Sequence, residues 1–362
     1  MFGRLALSIA LWSVAFLLLV TAKAFAADPS PEALIKAGHW KRARRLIEQR
    51  YQSSPNEAQA EYLLSQIKEA FGDPEGALPL AEKAVAASAG NSSYHLLLGQ
   101  ICGEMAERAS FFKAGGWAKR LKAEAEKAAD LDPKNLDARF TLIEYYLQAP
   151  RLMGGSKDRA RAMAAAIGQV NPGQGYVAQA RLAQEEKDSA QQENFLKKAV
   201  AASPGDYDVQ IALANFYNSD SKKEFDLARR PAREALRIDA ERTEAYSALA
   251  ATYARSQRRA DLDAILEQAE RKVPDDLSPY YQAGRALLAE GQDLPRAERY
   301  FRKYLTQEPE GSAPTLAHAH WRLGLVLEKE GRESEAVSEL ETALRLRPDL
   351  NEARKDLRRM KG

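Results

Sequence analysis

The residues of this 362-residue sequence that could perform chemistry are few and scattered. They include four histidines (His39, His95, His318 and His320) and one cysteine, Cys102. Two histidines lie two positions apart, so on a helix their rings point to opposite sides, which disfavours a shared metal ion. A single cysteine cannot form an intramolecular disulfide, and no histidine pairs with it as a catalytic base. These residues therefore predict neither a metal site nor a catalytic thiol.

Two serines lie in a motif that is typical of serine nucleophiles. Ser65 and Lys68 fit the pattern SxxK, as do Ser219 and Lys222, but neither pair has the KTG element that accompanies it in penicillin-binding families. The sequence contains no phosphate-binding GxxxxGK[ST] loop and no GxSxG elbow. We therefore predict a non-catalytic protein without a cofactor. A hydrolase with an unrecognised site stays open, because catalytic sites are grafted onto loops of many folds.

The elements that position these residues are predicted to be helices. The chain is 45% hydrophobic and 29% charged, and it contains 16 prolines. Ala, Leu, Arg, Glu and Lys dominate, and apolar β-branched runs of period two are absent. This composition predicts a soluble, all-α chain.

Residues 1–26 have the pattern of a secretory signal peptide. A basic residue, Arg4, precedes an apolar run over 5–20, and Ala24 and Ala26 form an A-x-A cleavage pattern. We expect cleavage after Ala26 and a periplasmic or secreted protein. The alternative is an uncleaved segment, residues 5–22, that anchors the protein in the inner membrane, and only this alternative implies membrane association.

The charge balance argues against a nucleic-acid partner. Removing residues 1–26 takes away two basic residues and no acidic one, so the 53 basic residues become 51 against 51 acidic. Nucleic-acid binders usually carry a basic footprint. The basic runs at 41–45 and 358–361 are interpreted as solvated helix faces.

A period of about 34 residues organises the chain, most clearly in its tail. Small and apolar residues there recur at fixed steps before a closing proline: Leu323, Gly324, Gly331, Ala336, Leu340, Ala343 and Pro348. This spacing resembles the tetratricopeptide repeat, and the chain as a whole resembles exported bacterial members of that family. The resemblance implies a right-handed α-α superhelix of about eight to nine helical hairpins.

The same frame divides residues 27–362 into nine units and a capping helix at 350–361. The predicted units are 30–57, 58–91, 92–135, 136–172, 173–206, 207–242, 243–276, 277–312 and 313–350. Units 92–135 and 136–172 contain insertions of ten and five residues. We expect these insertions to form loops near 107–117 and 148–156, side by side on one edge. They carry five apolar residues, which either bind a partner or pack against each other: Phe111, Phe112, Trp117, Leu152 and Met153.

In the family, the first helix of each unit lines a concave groove, and its fifth and ninth positions face the ligand. Carried onto this chain, these positions give eight candidate partner-binding residues: Tyr62, Phe140, Glu144, Arg181, Asn215, Tyr281, Arg285 and Trp321. The family's carboxylate clamp has lysine at position five and asparagine at nine; here Asn215 follows Ile211, so that clamp is missing. The resemblance therefore implies an apolar, aromatic groove that binds an extended or helical peptide.

We expect an exported scaffold that binds a partner protein or peptide through the groove, the edge loops, or both. The alternative is an accessory subunit that assembles an envelope enzyme or a polysaccharide-export complex. The sequence leaves the partner's identity and the oligomeric state open.

Overall fold

The computed structural model describes residues 29–54, 57–311 and 314–362, and the regular structure of these ranges is helical, without a strand. The predicted signal peptide and its cleavage point after Ala26 lie outside the described residues. Within the described ranges, no helix combines the length and the apolar character needed to cross a bilayer.

Nineteen α-helices follow one another in these ranges. They are α1 (Pro31–Lys36), α2 (Trp40–Ser53), α3 (Ala58–Ala70), α4 (Pro74–Ala87), α5 (Ser92–Arg108), α6 (Phe111–Leu131), α7 (Leu136–Gln148), α8 (Lys157–Val170), α9 (Pro172–Glu185), α10 (Ser189–Ala202), α11 (Tyr207–Asn218), α12 (Phe225–Ile238), α13 (Thr243–Arg255), α14 (Arg259–Lys272), α15 (Ser278–Glu290), α16 (Leu294–Tyr304), α17 (Leu316–Lys329), α18 (Glu333–Leu346) and α19 (Asn351–Lys361). A short 3-10 helix, Arg151–Met153, lies between α7 and α8.

Short polar residues begin many of these helices. The Asp73 carboxylate accepts a hydrogen bond from the Gly76 N–H at 2.8 Å, and Asn135 accepts one from the Ala138 N–H at 3.1 Å. Pro74 follows the first of these caps, at a position where the missing N–H of proline does no harm. The caps recur because each unit must begin two helices.

The helices form two layers. Odd-numbered helices from α3 to α17 each contact the next odd-numbered helix, and each also packs against its neighbours in sequence. The chain is therefore an α-α superhelix in which α3, α5, α7, α9, α11, α13, α15 and α17 form the inner layer. Small residues allow the two layers to approach closely. Gly324 has no side chain, and a Cβ at this position would lie only 3.1 Å from the Ala336 carbonyl oxygen.

The ten-residue insertion does not form the expected loop at 107–117. It lengthens both helices of its unit, so that α5 has 17 residues and α6 has 21, and the chain turns at Ala109 and Ser110. The added turns pack closely together. Gly103 permits this approach, since a Cβ at this position would lie only 2.6 Å from the Leu121 side chain. The prediction of an edge loop that carries Phe111 and Trp117 was therefore wrong, since both residues belong to α6.

The five-residue insertion at 148–156 does form a connection. The 3-10 helix follows Pro150 and ends at Gly154, whose φ of +93° is left-handed and favours glycine. Ser156 then caps α8 by accepting a hydrogen bond from the Arg159 N–H at 3.3 Å.

Helix α2 contacts two loops about 230 to 270 residues further along the chain, after α14 and α16. Lys41 Nζ donates to the carbonyl oxygens of Asp275 and Glu308 at 2.5 and 2.7 Å, and its backbone N–H donates to Glu310 Oε2 at 2.7 Å. Arg44 forms a bidentate pair with Glu308 at 3.1 and 2.7 Å. We call these five residues the closure contact, because they join the first unit to the loops that precede α15 and α17.

The closure contact also corrects the interpretation of residues 41–45 as a solvated face. Ala43 is fully buried, and Lys41 and Arg44 bind distant residues. Trp40 adds an apolar contact at Gly311, where a Cβ would lie 2.7 Å from the indole ring and φ is +47°.

Candidate functional site

A continuous groove follows the inner layer and passes beneath the first unit. Its central cavity, of about 610 Å³, is lined by Asn215, Ser247 and Gln282 of the inner helices and by Gly38 and Trp40 opposite them. The closure contact brings these last two residues across the concave surface. The first unit thus covers one side of the groove at this point.

Two further cavities extend this groove in opposite directions. One, of about 550 Å³, shares Asn215 with the central cavity and reaches Arg181 on α9. The other, of about 690 Å³, shares Arg255 and Arg285 with it and reaches Arg322 on α17. The groove therefore spans the inner layer from α9 to α17.

Three arginines gather at the α17 end of the groove. Arg255 is only 7% exposed, and its Nη2 donates to Asp220 Oδ1 at 2.6 Å. Burial lowers the pKa of Arg285, and the charges of Arg255 and Arg322 lower it further. All three arginines line the same cavity, where the charges of Arg255 and Arg322 oppose that of Arg285.

The opposite side of the central cavity is acidic. Glu244, Asp276 and Glu310 line this side. The basic residues that line the central cavity, within the described ranges, are Arg255 and Arg285. Burial raises the pKa of Glu310 to about 7, although the Lys41 N–H and ammonium oppose that rise. The Glu310 Oε1 atom is buried and accepts no hydrogen bond within the described residues.

Three of the residues predicted from positions five and nine line the groove: Arg181, Asn215 and Arg285. Arg181 is already neutralised, because its guanidinium forms a bidentate pair with Glu144, another predicted residue, at 2.7 and 2.8 Å. Asn215 and Arg285 are exposed to the groove. They remain available to a ligand.

The predicted aromatic residues pack between helices instead of lining the groove. Tyr281 is 5% exposed, with its ring centroid 5.6 Å from that of Phe301, so its side chain is largely withdrawn from the groove. Half-buried Tyr62 and Phe140 pack against neighbouring core clusters. Trp321 is half-buried, and its Nε1 donates to Asp356 of the last helix at 2.9 Å. These aromatic side chains therefore pack between helices and do not line the three cavities of the groove.

The edge near α6 and the 3-10 helix brings the two insertions together. Phe112 is 94% exposed and Leu152 is 102% exposed. Met153 is half-buried, and its methyl group lies 3.8 Å from the position of a Cβ on Gly115. Trp117 belongs to a different environment, since it is half-buried against the cluster of α4 and α5. The edge therefore presents two large apolar side chains, and Trp117 is not one of them.

The residues considered for catalysis are either engaged in hydrogen bonds or buried. Ser65 is buried and donates to the Ala77 carbonyl at 2.9 Å, and Ser219 donates to the Phe216 carbonyl at 2.7 Å. His95 lies between Glu124 at 2.6 Å and the Ala89 carbonyl oxygen at 3.0 Å.

The remaining candidates behave in the same way. His320 Nδ1 lies 2.6 Å from Glu339, and burial lowers the pKa of His39. Cys102 is fully buried, which raises its pKa to about 11. In the described part of the chain, no group of three or more His, Cys, Asp or Glu side chains is arranged to hold a metal ion.

Sequence reasoning missed several groove residues, namely Trp40, Arg255, Glu310 and Arg322. Arg255 ends its helix, at a position where a basic residue is usually explained by the helix dipole. Trp40 and Glu310 reach the groove only through the closure contact. No local pattern would have identified them.

Comparisons with known proteins agree with this architecture. A family model described as "Tetratricopeptide repeat" matches residues 317–350. The crystal structure of yeast Tom70 is similar over 91% of this chain and 80% of that chain, with a TM-score of 0.52 and 14% identity. A thermophilic TPR protein of Thermus thermophilus aligns with 51% of this chain and 94% of its own, with a TM-score of 0.45 and 18% identity. A search of curated protein sequences returns no match. The likeness to Tom70 is one of fold.

Proposed function

This chain is a tetratricopeptide repeat protein, and on that premise we propose that it is an exported, non-catalytic scaffold that binds a segment of a partner protein in the groove. The observation that carries the proposal is the groove across the inner layer, covered on one side by the first unit, with exposed polar side chains such as Asn215 and Arg285 on its floor. A groove of this length suits a peptide segment better than a small molecule.

A matched pair of variants tests the groove. Ala251 lines the central cavity, so Ala251→Trp should fill it and abolish capture of the partner from an extract of the native host. Ala264 is exposed on α14 and lies outside the three cavities that form the groove, so Ala264→Trp adds the same bulk elsewhere and should leave capture unchanged. Equal capture by both variants and the wild type would contradict the proposal.

The proposal of export rests on the sequence pattern of residues 1–26. N-terminal sequencing of the protein from its native host should begin at Ala27. An intact Met1 in the membrane fraction would favour the anchor formed by residues 5–22.

A second candidate function is that of an assembly subunit that docks through the edge. It is favoured by the exposure of Phe112 and Leu152 on adjoining segments, since exposed apolar side chains often mark protein contacts. Replacing both with serine should abolish assembly with the partner complex while the groove still binds. Loss of capture in Ala251→Trp alone would assign the function to the groove.

A further inference from the structure

The arginine site, defined here as Arg255, Arg285 and Arg322, contains more positive charge than its surroundings neutralise. Arg285 donates from Nε to Gln282 at 3.1 Å, and neither it nor Arg322 forms an ion pair with any other described residue. The Arg322 guanidinium lies 4.0 Å from the centroid of the Trp321 ring, a contact that fixes its plane. Two of the three guanidinium groups therefore lack a carboxylate.

The nearby acids are already engaged. Asp220 pairs with Arg255 at 2.6 Å, and Glu328 accepts a bidentate pair from Arg359. The Nε atoms of Arg255 and Arg322 are buried and donate to no described group. Arg255 is also more than nine-tenths buried. Unpaired donors and repelling cations in one cavity are unfavourable unless an anion binds there.

The acidic side of the central cavity limits which class of molecule can carry that anion. Glu244, Asp276 and Glu310 line it near the amino-terminal ends of α13, α15 and α17, the helices that carry the three arginines, so the groove changes from acidic to basic across its width. A nucleic acid carries a phosphate at every step and would be repelled by the acidic side. A peptide can carry carboxylates at one end and neutral or basic residues at the other.

We propose that the arginine site binds the carboxylates of an acidic peptide segment, and that the same peptide places neutral or basic residues toward Glu244 and Asp276. Planar guanidinium groups match carboxylates in bidentate geometry, which gives the site its selectivity. The segment therefore binds in one orientation, with its acidic residues toward the arginine site. This inference rests on the proposed function, because it specifies which partner segment the groove binds.

Fluorescence anisotropy with a labelled peptide of sequence KKGSGSEEE tests the inference, with KKGSGSQQQ as the uncharged counterpart at the acidic end. The wild type should prefer the acidic peptide, and added salt should weaken its binding. Arg285→Gln together with Arg322→Gln should weaken it by about tenfold or more, as expected for two lost charge-assisted hydrogen bonds.

Two controls accompany the measurement. Arg271 is 68% exposed on α14, outside the groove, so Arg271→Gln removes an arginine charge and should leave affinity unchanged. Arg285→Gln alone alters an exposed side chain without an ion pair, so it should fold normally and still lose affinity.

The outcomes separate the inference from the proposed function. Equal affinity for the two peptides, or equal affinity of the wild type and the Arg285→Gln variants for the acidic peptide, would overturn the arginine site. Equally tight binding of a labelled uridine decanucleotide would overturn the assignment to a peptide. In each case the proposed function still stands if Ala251→Trp blocks partner capture.

Discussion

Removing the Lys41 ammonium should open the closure contact. Lys41→Met keeps most of the length and volume of the side chain but removes two hydrogen bonds, to the carbonyls of Asp275 and Glu308. It also removes the ammonium that lies 3.8 Å from Glu310 Oε1. The side chains of Lys41 and Glu310 are 16% and 2% exposed, so this is a buried pair.

The magnitude follows from that burial. Breaking a buried ion pair by removing one partner costs about 3–5 kcal/mol. The lower value applies here because Glu310, whose pKa is raised to about 7, can take up a proton once the ammonium is gone. About 3 kcal/mol lowers the ratio of closed to open molecules roughly a hundredfold.

Arg44→Met provides the comparison within the same contact. The side chains of Arg44 and Glu308 are 29% and 50% exposed, so their pair contributes only about 0.2–1 kcal/mol. Lys272→Met, on an exposed lysine of α14, is the neutral control.

Electron–electron distance measurements at pH 8 would report the opening. Spin labels at Glu48→Cys and Thr306→Cys lie on exposed positions of α2 and of the segment after α16. Buried Cys102, with its pKa of about 11, should stay unlabelled. We expect one narrow distance distribution for the wild type and a broader, longer one for Lys41→Met. The reasoning fails if Arg44→Met opens the contact and Lys41→Met does not.

Three further predictions follow from burial. Glu310 has a pKa of about 7 when the closure contact is formed and an ordinary value of 4.5 when it is open. The closed state should therefore become less favourable as the pH rises from about 4.5 to 7, and its stability should then stay constant. Glu310→Gln should remove this pH dependence in the same distance measurement. Ala343→Arg should destabilise the last unit by about a few kcal/mol, because Ala343 is fully buried and the arginine would overpack the site and bury a charge. Unchanged hydrogen exchange over residues 317–350 would contradict this prediction. Trp117→Ser should lower the free energy of unfolding by about 2 kcal/mol, because Trp117 packs against a core cluster. Leu152→Ser should change it by less than about 0.5 kcal/mol, because Leu152 is exposed. Equal melting temperatures of the two variants would refute this assignment.

The helical layers could be predicted from the sequence because each unit is specified locally. Small residues such as Gly324 and Ala343 mark helix contacts, and the family pattern supplies their spacing. Gly115 and Gly116 are an exception, because glycine has a low helix propensity. In the structure these glycines lie inside α6, and Gly115 allows the side chain of Met153 to approach. Tertiary packing overrides the local preference.

The composition of the groove could be predicted only in part. Asn215 and Arg285 line it as expected, because the family register places them on the inner face. Glu310 joins it because the superhelix turns far enough to bring α2 back against the later loops. That turn is the sum of small rotations between units, and no single stretch of sequence contains it.

The closure contact also changes how such an array should come apart. A linear stack of repeats has two ends that fray independently, and its contacts are local in sequence. Here Lys41 and Glu310 are 269 residues apart, so the first unit cannot fray without releasing a late loop. The contact converts the part of the chain between residues 41 and 310 into a loop, in which unfolding any unit of that part strains the closure contact. We therefore expect unfolding to be more cooperative than in an open array, with the closure contact forming last during folding because its partners are so distant in sequence.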